Sequence, residues 1–136
     1  MKNYKYGSRS RAILDTVDGR LVEICVLAQR LANESNSQFY VPDWGYSSGF
    51  RTAEEQNELF KSGASKCDGY DKKSYHQSGL AIDLYAYVNG VADYRPKQIN
   101  PVILCHFQAA SILGYKIRWG GLFTSLFDSP HIELVA

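Results

Sequence analysis

The apolar residues Val17, Leu21, Ile24, Ala28 and Leu31 recur at steps of three and four, which predicts a helix over 16–33 with one buried face. The stretch 39–50 that follows is turn-rich and reads as partly extended. Thr52-Ala53-Glu54-Glu55 has the Thr-x-x-Glu form of a capping box, so it opens a short helix that Gly63 is placed to end. Residues 62–78 are polar, contain glycines and carry Lys72 and Lys73, which predicts a long surface loop. Long loops in compact domains are often functional.

Residues 80–88 are rich in β-branched, aromatic and apolar types and predict a strand. Asn89-Gly90 is a strong hairpin signal, so 91–94 is the returning strand. Asn100-Pro101 supplies an N-cap and a first helical position, starting a helix through Val102, Ile103, Leu104, Phe107, Ala110 and Leu113 that Gly114 closes. It is apolar nearly all round, which predicts burial. Residues 115–119 and 131–135 are the last strands, separated by a loop. This order of helices and mainly antiparallel strands predicts a small α+β domain spanning 1–136.

Composition narrows the function classes. The 136 residues, 45% hydrophobic and 21% charged, suit one folded domain with a real core and no need of disulfide staples. A formal net charge of +1 gives no case for a nucleic-acid partner. Cys25, Cys67 and Cys105 are odd in number and form no Cys-x-x-Cys pair, so neither a disulfide framework nor a zinc finger is expected. Cys25 and Cys105 fall in apolar helical stretches and read as small core residues. The N-terminal stretch lacks the apolar region of a signal peptide, and no run approaches the roughly 20 apolar residues of a membrane span. The expectation is a monomer made in a reducing cytoplasm, not inserted in a membrane, and released by other means if it acts outside.

Side chains of a strand alternate between its faces. Over 80–88, Leu80, Ile82, Leu84 and Ala86 point one way, and Ala81, Asp83, Tyr85 and Tyr87 the other. In the last strand Ile132 and Leu134 share a face, with His131 and Glu133 opposite. If both aliphatic faces pack on the helices, Asp83 and His131 both look away from the core and can converge. His76 stands seven residues before Asp83, and Gly79 between them permits a tight turn back. Two imidazoles and a carboxylate are a ligand set typical of catalytic zinc, with a fourth position left for water. The bare spacing also fits surface residues or hydrogen-bonded structural groups.

The segment Ser74-Tyr75-His76-Gln77-Ser78-Gly79-Leu80-Ala81-Ile82-Asp83 resembles the S-x-H-x-x-G-x-A-x-D signature of the zinc D-alanyl-D-alanine peptidases. That family includes vancomycin-resistance dipeptidases and carboxypeptidases, and phage endolysins that cut the L-alanyl-D-glutamate bond of peptidoglycan. Asp128-Ser129-Pro130-His131 resembles its second element, Gly49-Phe50-Arg51-Thr52 its G-x-R-[ST] element, and Trp119-Gly120-Gly121 a turn common ahead of the acidic residue. The matches run in order from Gly49 to His131. The resemblance implies a Hedgehog/D,D-peptidase-like fold with helices on one face of the sheet. It implies one zinc ion held by His76, Asp83 and His131, Asp128 as general base, and Arg51 binding the scissile carbonyl or oxyanion. Aspartate at 128 is more like the phage endopeptidase branch. The implied activity is hydrolysis of the L-alanyl-D-glutamate bond of the peptidoglycan stem peptide, as a phage endolysin acting on the wall after release.

Other polar residues receive lesser roles. Ser74 holds the loop or touches substrate, and Glu133 orients a ligand from behind or is simply solvated. His106, inside the apolar helix, reads as a core histidine. Tyr85 and Tyr87 are ordinary strand tyrosines or the lining of a groove. The segment 63–73 matches no pattern. Two other activities remain: a D-alanyl-D-alanine carboxypeptidase or dipeptidase, and a non-catalytic binding module of the same fold, like the hedgehog signalling domain. Having both Asp128 and Arg51 argues against the latter, since a structural site needs neither.

Overall fold

A computed structural model of the chain describes residues 2–123 and 127–135. Its elements are α1 (Ser8–Leu14), α2 (Gly19–Glu34), β1 (Asp43–Ser48), α3 (Ala53–Lys61), β2 (Ala81–Val88), β3 (Val91–Asp93), α4 (Pro96–Leu113), β4 (Lys116–Trp119) and β5 (His131–Val135). Two 3₁₀ turns, Tyr75–Ser78 and Gly120–Leu122, flank the sheet. The strands pair antiparallel in the order β1-β2-β5-β4, with β3 hairpinned onto β2. This is the α+β fold that the element order predicts.

The apolar periodicity of α2 is realised: Leu21, Ile24, Cys25, Ala28 and Ala32 are buried. Asp18 caps the helix, accepting the Arg20 backbone N–H. Helix α2 packs on α4, and α4 lies against β2 and β4. Ile82, Leu84, Ala86, Ile132 and Leu134 of the sheet enter the same core. The Thr52 capping box forms in both directions: Thr52 Oγ1 accepts the Glu55 N–H at 3.1 Å and Glu55 Oε1 accepts the Thr52 N–H at 3.0 Å. Asn89 and Gly90 both have positive φ, as a two-residue hairpin turn requires.

Three expectations are corrected. Helix α1 was not foreseen; Leu14 and Ser10 bury its inner side, and Ser10 Oγ accepts the Tyr46 N–H of β1. Helix α4 starts at Pro96 rather than Asn100, with Pro101 inside it. The extra turn is held by burial of Gln98 and Ile99 and by the Tyr40 hydroxyl on the Gln98 amide oxygen. Pro101 lies so near the start that its missing N–H forfeits one bond in the first turns. Nor is α4 buried all round: Leu104 and Ile112 are exposed.

His106 is a core residue, as expected. Its Nδ1 donates to the Val102 carbonyl at 2.8 Å, and its Nε2 meets the Tyr46 hydroxyl at 2.7 Å. Burial pushes its pKa down to about 4.

Candidate active site

The β2–β5 register sets Asp83 directly opposite His131 and Ile82 opposite Ile132. The aliphatic pair faces the core, so the polar pair emerges together on the other side. His76 joins them from the 3₁₀ turn. Ser74 Oγ caps that turn, accepting the His76 N–H at 3.2 Å. Gly79 ends it at φ +68°, a left-handed conformation that L side chains rarely adopt. The Gly79 carbonyl then accepts the Asp18 N–H at 2.8 Å, tying the turn to the start of α2.

His76 Nε2, His131 Nδ1 and Asp83 Oδ1 form a triangle with edges of 3.2, 3.2 and 3.3 Å. The outer nitrogens are already committed. His76 Nδ1 lies 2.7 Å from the Gly49 carbonyl, and His131 Nε2 lies 2.7 Å from Glu133 Oε1. Both acceptors lack protons, so each neutral ring spends its one N–H outward and turns a lone pair inward. Three lone-pair donors therefore face one another, which is unfavourable unless positive charge sits among them. Tetrahedral ligands about 2.05 Å from one zinc stand about 3.3 Å apart, so the triangle fits that ion. The other electrostatics agree. Burial opposes charge on His131, yet Asp83 and Glu133 raise its pKa to about 9. Burial likewise opposes charge on Asp83, but its hydrogen bonds to His131 and His76 hold it well below the usual carboxylate range. The cluster draws a cation; a proton is the least it will take.

Arg51 completes the cluster from β1's end. Its Nε donates to Ser48 Oγ (3.0 Å), one terminal nitrogen to Gln56 Oε1 (3.2 Å) and the other to Asp83 Oδ2 (2.7 Å). Three of its five N–H groups are thus used on the described residues. Asp128 Oδ2 lies 3.9 Å from His131 Nδ1. Its position comes from the Trp119-Gly120-Gly121 turn: Gly120 O accepts the Asp128 N–H at 3.0 Å, and the Trp119 indole donates to Ser129 O at 2.7 Å. A Cβ at Gly120 would overlap the Asp128 carbonyl, so glycine is required for this approach. Burial, and then repulsion from Asp83, raises the pKa of Asp128.

Glu133 is buried between His131 and Arg118, whose guanidinium meets it at 2.5 Å. It is buried against the His131 ring, so the expectation of simple solvation does not hold. Tyr85 and Tyr87 lie outside the cleft lining. The cleft, about 260 Å³, opens over His76, His131, Asp128 and Arg51 and is walled by Ser74, Tyr75 and the loop carrying Lys72 and Lys73. Sequence reasoning missed Gln56. It is fully buried, binds Arg51 and donates to Ser65 Oγ (2.8 Å) and Cys67 O (3.0 Å). A glutamine directly after a capping box was the only signal.

A largely buried His–Asp–His cluster that could hold a metal ion, flanked by a carboxylate and an arginine beside the two inner strands of an antiparallel sheet, is a set of groups suited to metal-assisted hydrolysis. The comparisons with known proteins make the class specific. The family model described as phage L-alanyl-D-glutamate peptidase matches residues 2–135, and the chain belongs to that family. It is 28% identical to the L-alanyl-D-glutamate peptidase of Escherichia phage T5, over 98% of this chain and 99% of that one. Among solved structures it is similar to the Serratia marcescens L-Ala D-Glu endopeptidase ChiX, with TM-score 0.80 and 26% identity over 98% of this chain and 92% of that one. It shares its fold with the zinc-bound vancomycin-resistance D,D-pentapeptidase VanY, with TM-score 0.58 and 18% identity over 88% of this chain and 73% of that one.

Proposed function

We propose that this chain hydrolyses the L-alanyl-D-glutamate bond of the peptidoglycan stem peptide as a one-zinc endopeptidase, and serves a phage as an endolysin. The observation that carries the metal assignment is the triangle of inward lone pairs on His76, His131 and Asp83. The bond assignment follows the family and the two relatives named for it. The wall would be reached after synthesis in the host cytoplasm and release.

Zinc held by these ligands supplies Lewis acidity, polarising a peptide carbonyl and acidifying water to a pKa of about 7. Asp128 takes the proton of the attacking water and hands it to the leaving nitrogen, a role its raised pKa suits. Arg51, fixed by Ser48, Gln56 and Asp83, offers its remaining N–H groups to the oxyanion that develops. Ser74 holds the His76 turn and borders the bound peptide. Glu133 fixes the His131 ring and strengthens its donor nitrogen.

The test is digestion of purified peptidoglycan followed by mass spectrometry of the fragments. New ends at L-alanine and D-glutamate are expected. Release of terminal D-alanine alone would overturn the bond assignment and favour a carboxypeptidase.

A further inference from the structure

The 62–73 segment, which matched no sequence pattern, is held at several points. Gln56 donates to Ser65 Oγ and Cys67 O, and Asn57 to Asp68 O at 2.8 Å. Asp68 Oδ1 accepts the N–H groups of Tyr70 (3.0 Å) and Lys72 (2.9 Å). Gln77, one residue past His76, donates to Gly69 O at 2.8 Å. The loop is thus fastened to α3 on one side and to the turn bearing His76 on the other. It is a wall of the cleft, built to stay in place.

That wall presents Lys72 and Lys73 to the cleft, both exposed. Among the described residues neither enters an ion pair. The acids at hand do not neutralise them. Glu133 is committed to His131 and Arg118, Asp68 caps backbone N–H groups, Asp71 does not line the cleft, and Asp128, which does, has its charged contact with His131 rather than with either lysine. Two uncompensated ammonium groups on a fixed wall beside a peptidase centre are suited to an anionic group of the substrate. Lysine serves there as a mobile point charge with three donors.

Resting on the bond assignment above, we infer that Lys72 and Lys73 form the subsite for the free carboxylate of the glutamyl residue that follows the scissile bond. Glutamate has two carboxyl groups and the stem continues through one. The other stays ionised within a few bonds of the scissile nitrogen. The loop thereby selects peptides by charge on the leaving-amine side.

The experiment uses two synthetic stem peptides with the same L-alanyl–D-glutamyl bond, one with the free carboxylate and one with a carboxamide in its place. An exposed ion pair is worth a few-fold in affinity, so two together give about a tenfold preference for the carboxylate, carried by KM. In the K72Q/K73Q variant that preference falls to about one, because KM for the carboxylate peptide rises toward that for the amide. The K72R/K73R variant keeps it, and added salt shrinks it in the parent. A parent that cuts both peptides equally, or a K72Q/K73Q variant that still prefers the carboxylate, overturns the subsite alone. A parent that cuts neither peptide at this bond overturns the bond assignment, and the subsite falls with it.

Discussion

Replacing Gln56 by leucine keeps most of the side-chain volume and removes three hydrogen bonds from a fully buried position. The two donated to Ser65 and Cys67 are neutral and contribute about 1 kcal/mol each. The bond from Arg51 is charge-assisted and contributes more, but the Arg51 side chain is 17% exposed and water replaces part of it. The sum is about 3 kcal/mol. For a chain of this size that lowers Tm by roughly 10 °C. Chemistry should suffer separately, because Arg51 loses one of its three restraints; kcat/KM is expected to fall about tenfold. Gln56→Glu divides the two effects. Its carboxylate still accepts from Arg51, so the rate per folded molecule stays near the parent's. It cannot donate to Cys67 O, so Tm falls at least as far. Thermal melts followed by circular dichroism, paired with rates on a defined peptide, measure both. A Gln56→Leu protein that melts within about 2 °C of the parent at parental rate would show that Gln56 neither anchors the loop nor restrains Arg51.

Asp128→Asn should keep zinc and Tm and lose roughly 10² to 10⁴ in rate; a near-parental rate would make Asp128 a turn residue only. Glu133→Gln should weaken zinc about 10- to 100-fold in chelator competition, because the His131 ring loses its carboxylate; unchanged affinity would reduce Glu133 to packing. His106 protonates near pH 6.5 when unfolded but only at about 4 when folded. The unfolded chain therefore binds more protons between those values, and stability present above pH 6.5 falls by about 3 kcal/mol as pH drops to 4. Denaturant titrations across that window should show a shallower fall in His106→Gln, and equal slopes would contradict the burial argument.

Much of the site was legible because it rests on local rules. Strand alternation alone set Asp83 and His131 on the face away from Ile82 and Ile132, and the register puts them opposite each other. The capping box and the Asn-Gly turn are equally local. What alternation could not show is that His131 and Glu133 are themselves buried, since their cover comes from elsewhere in the chain. Gln56 and the 62–73 wall were illegible for the same reason: a polar side chain is buried only where distant partners satisfy it. The start of α4 was misplaced because two prolines each offer a helix start, and tertiary burial of Gln98 and Ile99 decides between them. Helix α1 is seven residues long, too short for periodicity to mark it.

Peptidoglycan cleavage by this chain is proposed to depend on a zinc ion held by His76, Asp83 and His131. The direct measurement is zinc content and wall-clearing rate for the parent after chelation, after zinc is returned, and for His76→Ala, Asp83→Ala and His131→Ala. One zinc per chain is expected in the parent, with activity lost on chelation and regained with zinc, and neither zinc nor activity in any of the three variants. A chelated parent that clears walls at full rate, or a variant that keeps stoichiometric zinc, would contradict it.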